Sequence, residues 1–195
     1  MIGILGGMGT QAGLDFCNKL AKLNRGKSDQ NYPLFLLYNK SNIPDRKQNL
    51  KKYSKVLKSL VDGCKFLQKN RCKFISIPCN TAHYWYEDLK KKIKIPIINM
   101  PKEVFLHTKK ICKKNSKIGL LATEGTLKTK IYENQFKKEY KFITPPYDLQ
   151  INKYYQLMNV FLTTSREDPY PLVNLEAAYN EVPILCFQDS GGGSC

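Results

Sequence analysis

One cysteine lies where a thiol could act as a base. Cys79 follows the apolar run 74–78 and precedes a stretch that we predict to be helical. The unpaired N–H groups and the dipole at the start of a helix favour a thiolate over a neutral thiol. The same N–H groups, together with the Asn80 and Thr81 side chains, can hold a substrate carboxylate. Cys79 is therefore the leading candidate for a reactive group, although a cysteine after an apolar run is more often a buried structural residue.

Two other polar stretches are suited to binding carboxylates. Thr123 and Thr126 lie at a second predicted strand-to-helix turn, with a glycine between them that allows close approach. Arg46 lies in a loop after the second predicted strand, where its guanidinium can grip a carboxylate through two parallel hydrogen bonds. Together with Cys79, these residues suggest two carboxylate cradles, a cationic clamp and an acidic thiol. The alternatives to carboxylate binding are an ordinary helix cap at Thr123–Thr126 and an ordinary turn at Arg46.

The sequence contains no motif for a nucleotide or a metal. The Gly-rich turn 6–10 lacks the spacing of dinucleotide-binding glycines, and no P-loop pattern occurs. The seven cysteines show no CxxC spacing and the only histidines are His83 and His107, so we predict no metal site. The odd number of cysteines also argues against a disulfide framework.

Composition favours a globular protein that binds neither nucleic acid nor membrane. The 195-residue chain has a net charge of +16, but its lysines are spread over helical faces and loops without a nucleic-acid-binding signature. The longest apolar runs are too short to span a bilayer, and the sequence starts with an apolar strand rather than a signal peptide. We therefore predict a cytoplasmic protein with a solvated basic surface.

Short apolar runs alternate with amphipathic stretches, which predicts an α/β fold with parallel sheets and flanking helices. The predicted strands are 2–5, 32–38, 74–78, 95–98, 117–122 and 140–143, followed by 154–163 and 183–187. The predicted helices are 11–24, 50–70, 80–92, 102–113, 126–139 and 172–179. Ligands of such folds bind at the carboxyl ends of the strands. This rule selects the stretches 6–10, 40–46, 79–83 and 123–126 as the candidate site.

Four segments in order resemble the aspartate/glutamate racemase family, in particular its aspartate racemase branch. They are residues 1–9, 42–46, 77–84 and 118–126. The resemblance covers residues 1–150, and Thr10 stands where the family usually has a proline. It implies two similar α/β domains, here 1–97 and an incomplete one at 98–150, with the active site in the cleft between them. It also implies that no cofactor is needed and that a homodimer is the usual assembly.

The same resemblance implies a two-base reaction on a small-molecule amino-acid substrate. One thiolate removes the α-proton, and a second thiol on the opposite face returns a proton. Cys79 matches the first of these thiols. The substrate-binding residues carried over from the family are Met8, Arg46, Asn80, Thr81, Thr123 and Thr126. The predicted function is thus a cofactor-independent racemase, an isomerase acting on aspartate or glutamate.

The second cysteine of the family, which lies in a Gly-Cys-Thr-Glu segment, has no direct counterpart in this sequence. Cys186 ends a late apolar run near the expected position and is the candidate replacement. The residues after it are Phe187 and Gln188 rather than Thr and Glu, which favours a structural role for this thiol. The loss of a second thiol would impair turnover.

From residue 154 onward the chain instead resembles a family 4-like (GT-B) glycosyltransferase. The matching stretches are 160–173, 175–178 and 182–183, with Asp168 and Glu176 at the spacing of that family's donor-binding acids. This resemblance suggests a chimera in which a truncated racemase is joined to a glycosyltransferase-like fragment, 151–195. The alternatives to racemase activity are accordingly a glycosyltransferase-related fragment and a non-catalytic fusion remnant.

Overall fold

The chain divides into two compact units, Met1–Glu103 and Val104–Cys195. The computed structural model describes residues 1–143, 154–163 and 172–186. Each unit contains a parallel sheet with helices between its strands, which confirms the predicted α/β fold class. The boundary between the units at 103/104 lies slightly beyond the domain boundary that we predicted at 97/98.

The first unit, all of whose residues are described, has a three-stranded sheet in the order β2-β1-β3. Its elements are β1 (Ile2–Gly6), α1 (Thr10–Leu23), β2 (Phe35–Asn39), α2 (Tyr53–Lys69), β3 (Phe74–Ser76), a 3-10 turn (Thr81–Trp85) and α3 (Tyr86–Lys92). Helix α2 buries Val56, Leu60, Cys64 and Leu67, whose three- to four-residue spacing places them on one face. This face packs with Ile75 of β3 and with Trp85 and Leu89 in one apolar core.

The second unit is built around β4, which has neighbours on both sides. Its elements are β4 (Lys117–Leu121), α5 (Glu124–Thr129), α6 (Ile131–Phe136), β5 (Lys141–Ile143), β6 (Val160–Thr163), α7 (Leu172–Tyr179) and β7 (Ile184–Leu185). Helix α4 (Met100–Ile111) contains the boundary between the units. The described strands of this unit form a four-stranded parallel sheet in the order β5-β4-β6-β7.

Three predicted elements differ from the structure for identifiable reasons. The predicted strand 95–98 is reduced to a single parallel bridge between Ile75 and Ile97, since Pro96 has no N–H to extend the ladder. The predicted helix 126–139 is divided into α5 and α6 by Lys130, whose φ of 51° is left-handed. The predicted strand 154–163 is a strand only from Val160 onward, after turn-type hydrogen bonds from residues 157 and 158.

The part of the chain after residue 151 contributes two strands to the sheet of the second unit. Strand β6 runs parallel to β4, with Leu121 opposite Thr163, and β7 pairs with β6, with Leu162 opposite Leu185. Tyr155 and Phe161 are fully buried beside this part of the sheet. The described residues of this region therefore share a sheet with the region that precedes residue 150.

Candidate active site

The residues predicted for the first half of the site all follow strands at the carboxyl edge of the first sheet. Met8 follows β1, Arg46 lies in the loop after β2, and Cys79 follows β3. Parallel strands end at the same edge of their sheet, so all three segments start from that edge. Met8 is buried in the apolar core, whereas Arg46 and Cys79 are partly exposed.

The turn after β1 packs directly against the start of the loop after β2. The side-chain amide of Asn39 donates a hydrogen bond to the Thr10 hydroxyl oxygen at 3.2 Å. Gly7 has a φ of +90°, and a Cβ added there would lie 2.3 Å from the main-chain carbon of Lys40. Only glycine fits this close backbone approach, which fixes Met8 relative to the loop that carries Arg46.

Gly7→Ala is expected to destabilise the protein by about 3 kcal/mol, which would lower the melting temperature by about 5–10 °C. The cost combines the left-handed φ with the backbone clash at Lys40. Thermal unfolding followed by circular dichroism measures it. Gly9→Ala is the matched control, because a Cβ at Gly9 meets nothing within 4 Å and its φ is −89°. Equal melting temperatures for the two variants would refute the steric explanation.

Arg46 lies in a compact turn held by its neighbour Asp45. The Asp45 carboxylate accepts a hydrogen bond from the main-chain N–H of Gln48 at 2.7 Å, and the Asp45 carbonyl accepts one from the Asn49 side chain at 2.7 Å. Among the described residues, the Arg46 guanidinium makes one long contact, 3.5 Å, with the carbonyl oxygen of Pro44. A partly exposed guanidinium on a fixed turn suits the predicted role of a carboxylate clamp.

A 3-10 turn (Thr81–Trp85) follows Cys79, where the sequence predicted the start of an α-helix. The Cys79 N–H donates to the Ile77 carbonyl at 2.7 Å, and the His83 N–H donates to the Asn80 carbonyl at 3.0 Å. Asn80 itself has helical dihedral angles (φ −55°, ψ −58°) and makes no side-chain capping bond to this turn. Asn80 therefore does not cap this turn. Asn80 and Thr81 lie half-buried immediately after Cys79.

The 3-10 turn is anchored on helix α2. The fully buried Trp85 donates its ring N–H to the Tyr53 carbonyl at 3.1 Å, and the Tyr53 hydroxyl donates to the Asp88 carboxylate. Burial and the Asp88 contact raise the pKa of Tyr53, so its hydroxyl stays protonated across the physiological range. These hydrogen bonds hold the segment that follows Cys79, and a general base must be held in position.

Cys79 differs from the other cysteines of the first unit in its exposure. Cys17, Cys64 and Cys72 are buried, whereas Cys79 is half-buried. Burial raises the pKa of the Cys64 thiol to about 12 and also raises the pKa of the Cys17 and Cys72 thiols. These three are structural thiols in the apolar interior.

Cys79 is expected to react with iodoacetamide at pH 7.5 well before Cys64. With its pKa of about 12, fewer than about 1 in 10⁴ Cys64 thiols are ionised at that pH, and the thiolate is the nucleophile. Timed alkylation followed by peptide mass spectrometry measures both rates in one sample. Labelling of Cys64 as fast as Cys79 in the folded protein would contradict the assignment.

The second unit presents its own cluster of hydroxyls at the carboxyl end of β4. Thr123 and Thr126 lie at the start of α5 with their hydroxyl oxygens 3.2 Å apart, Thr123 exposed and Thr126 buried. The Thr129 hydroxyl donates to the Thr126 carbonyl at 2.6 Å and holds this turn. Both predicted threonines thus belong to one turn.

Cys186 follows β7, at the same edge of the second sheet as Thr123. It is half-buried and lies two strands away from β4, which corresponds to about 10 Å between strand axes. Cys112 is also half-buried but precedes β4, at the opposite end of that strand. Of these two thiols, only Cys186 follows a strand at the edge that carries the threonines.

Neither a metal cluster nor a membrane-spanning helix occurs in the described part of the chain. No group of three or more His, Cys, Asp or Glu side chains among the described residues could hold a metal ion. No helix within the described ranges is both long enough and apolar enough to cross a bilayer.

Comparison with known proteins identifies the family. Residues 5–150 match the Asp/Glu/hydantoin racemase family model. The chain belongs to the Asp/Glu/hydantoin racemase family. A broad-specificity amino-acid racemase of Bacillus subtilis is 31% identical over 141 residues, which cover 70% of this chain and 60% of that enzyme. The matched part thus spans less than two thirds of that relative's length.

Solved racemase structures resemble this racemase-family chain over nearly its whole length. An aspartate racemase of Picrophilus torridus has a TM-score of 0.73 at 23% identity, covering 95% of this chain and 87% of that chain. An aspartate racemase homologue of Pyrococcus horikoshii has a TM-score of 0.71 at 19% identity, covering 97% and 93%. These likenesses concern the fold.

The predicted glycosyltransferase resemblance and the chimera interpretation find no support. Racemase folds match 95% or more of the chain, and β6 and β7 extend the same sheet as β4. The Glu176 carboxylate accepts a hydrogen bond from the Tyr155 hydroxyl at 3.0 Å, and Asp168 lies outside the described residues. A short strand followed by a helix and a second strand occurs in both kinds of α/β fold, so the motif did not distinguish them.

One residue at the site was missed from the sequence. His83 is buried, and its ring contacts the Cys79 carbonyl at 2.8 Å. The signal that could have found it is the four-residue spacing, which allows a side chain to reach back over one turn to the carbonyl of Cys79.

Proposed function

We propose that the protein is a cofactor-independent amino-acid racemase that acts on aspartate or glutamate by thiol-mediated proton transfer at Cα. The observation that carries the proposal is the half-buried Cys79 on a hydrogen-bonded turn at the carboxyl edge of its sheet. Family membership over residues 5–150 supports the reaction class. In this proposal Cys79 removes or returns the α-proton at one face of the substrate.

The substrate carboxylates are proposed to bind to the polar residues around these turns. The main-chain and side-chain donors of Asn80 and Thr81 follow Cys79 directly, and the paired hydroxyls of Thr123 and Thr126 supply further donors. The partly exposed Arg46 is proposed to bind the side-chain carboxylate of the substrate. The buried Met8 is proposed to line the substrate-binding site. A homodimer and a cytoplasmic location remain expectations from the family resemblance and the sequence.

A chiral assay tests the proposed activity. The purified protein is incubated with L-aspartate and with L-glutamate, without pyridoxal phosphate, and the D-isomers are measured by chromatography after chiral derivatisation. Other L-amino acids belong in the panel, because the Bacillus subtilis relative is a broad-specificity racemase. D-isomer is expected from at least one of the two dicarboxylates. A folded protein that forms no D-isomer from any of these amino acids would refute the proposal.

Racemisation needs a second thiol on the other face of the substrate, and Cys186 is the candidate. Its position after β7, at the edge that carries Thr123 and Thr126, supports this role over that of Cys112. If Cys186 is the second thiol, Cys186→Ser should lose D-isomer formation while one enantiomer still exchanges its α-proton with solvent. Proton and carbon NMR of both enantiomers in deuterated water separates these processes. Unchanged racemisation by Cys186→Ser would dismiss this thiol.

A further inference from the structure

The His83 ring lies between two main-chain carbonyls of the first unit. Its Nδ1 is 2.8 Å from the Cys79 carbonyl oxygen, and its Nε2 is 3.3 Å from the Ile98 carbonyl oxygen. The side chain is only 6% exposed. The ring therefore connects the Cys79 turn to the segment 95–98, which runs beside β3.

Carbonyl oxygens can only accept hydrogen bonds, which limits the protonation state of the ring. A neutral imidazole has one N–H donor and one acceptor nitrogen, whereas an imidazolium has two donors. In either neutral tautomer, one nitrogen lone pair would face a carbonyl oxygen. Only the imidazolium satisfies both contacts, and the two carbonyls replace the water that burial removes from it.

Neighbouring side chains hold the ring in this place. Tyr86 stacks on His83 with the planes 15° apart and the centroids at 6.5 Å. Its hydroxyl donates to the Ile97 carbonyl at 3.3 Å, so both side chains bind the same segment. Burial raises the pKa of the Tyr86 hydroxyl, and the charges of Glu87 and Glu103 raise it further. Tyr86 therefore stays neutral.

We propose that His83 is a positioning residue for Cys79 that donates from both ring nitrogens and so supplies a buried positive charge that favours the Cys79 thiolate. The carbonyl oxygen that it binds and the thiol belong to the same residue, so the charge lies next to the residue whose ionisation it would favour. The hydrogen bond also fixes the direction of the turn. The effect of this charge on catalysis rests on the proposed function, whereas the hydrogen bonds of His83 and their effect on the Cys79 thiol do not.

Alkylation of Cys79 as a function of pH tests the effect on the thiol. The rate of labelling at Cys79 is followed by peptide mass spectrometry in the full-length protein, in His83→Gln and in His107→Gln. His107 is the matched control, because it is the other histidine of the chain and lies exposed on α4. His83→Gln should shift the midpoint of the profile upward by about one pH unit, so that the rate below the midpoint falls about tenfold. His107→Gln should behave like the unmodified protein.

A second measurement needs no variant at His83. In protein labelled with ¹⁵N-histidine, the ring nitrogens of His83 should both show the chemical shifts of an imidazolium at pH 7.5, with His107→Gln used to assign the signals. A single protonated nitrogen at that pH, or a midpoint in folded His83→Gln equal to that of the unmodified protein, would overturn the proposal. Neither the alkylation profile nor the nitrogen shifts depend on turnover. A protein that racemises no amino acid would therefore refute the proposed function, and the role of His83 could still be tested.

Discussion

Cys79→Ser should lower the rate of aspartate or glutamate racemisation by about 10³-fold, within the usual contribution of a positioned general base. A serine hydroxyl fits the space of the thiol, but it is not ionised near neutral pH and cannot remove the α-proton. The half-buried position at the end of β3 predicts that the change affects the chemical step rather than folding. Initial rates over a range of substrate concentrations measure kcat and KM, and the loss is expected in kcat.

Cys112→Ser is the control for Cys79→Ser. Cys112 is also half-buried, but it lies before β4 and is not assigned to the site. It should retain racemisation and the melting temperature of the unmodified protein. A folded Cys79→Ser variant with more than about a tenth of the original kcat would show that another group is the base at this face.

Arg46→Gln should lower kcat/KM for the dicarboxylic amino acids by about 100-fold, mainly through KM. The guanidinium can bind a carboxylate with two parallel charged hydrogen bonds, and the amide can donate only from one nitrogen. Arg46→Lys should recover only part of the loss, because an ammonium group does not form the paired contact. Steady-state kinetics with aspartate, and with alanine as a substrate without the second carboxylate, measure the effect.

The neighbouring Lys47 provides a control of equal charge. Lys47→Gln removes one positive charge from the same loop at an exposed position. It therefore measures how much positive charge near the loop lowers KM without a specific contact. It should change KM for aspartate by no more than about twofold, since exposed charges are screened by salt. If Arg46→Gln and Lys47→Gln change KM alike, or if alanine is affected as much as aspartate, Arg46 does not bind the side-chain carboxylate.

The sequence predicted the elements that carry the first half of the site. Apolar runs before Met8 and Cys79 predicted two parallel strands, and the rule that ligands bind at their carboxyl ends selected both turns. The local form of the Cys79 turn could not be predicted, because the choice between a 3-10 turn and an α-helix depends on tertiary contacts such as the Trp85 bond to Tyr53. The His83 contact with Ile98 joins residues 15 positions apart and has no local signal.

The second unit was less predictable from sequence. Lys130 interrupts a pattern typical of one helix, because a left-handed residue is allowed where the tertiary fold requires a change of direction. A single bridge at Ile97 replaced a predicted strand, since Pro96 limits the pairing. The region after residue 151 was interpreted as a foreign fragment from a short motif, whereas strand pairing across the sheet of β4 is a long-range property that the motif does not encode.

The most direct test of a thiol-based racemase is hydrogen exchange at Cα. The protein is incubated in deuterated water with L-aspartate and, separately, with L-glutamate, without added cofactor, and α-deuterium is measured by mass spectrometry in each enantiomer after chiral separation. A thiol-based racemase should convert at least one of these substrates to a D-isomer that carries α-deuterium, and the Cys79→Ser variant should do so about 10³-fold more slowly. If the folded protein leaves the α-hydrogen of both amino acids unexchanged, Cys79 is not the base of an aspartate or glutamate racemase.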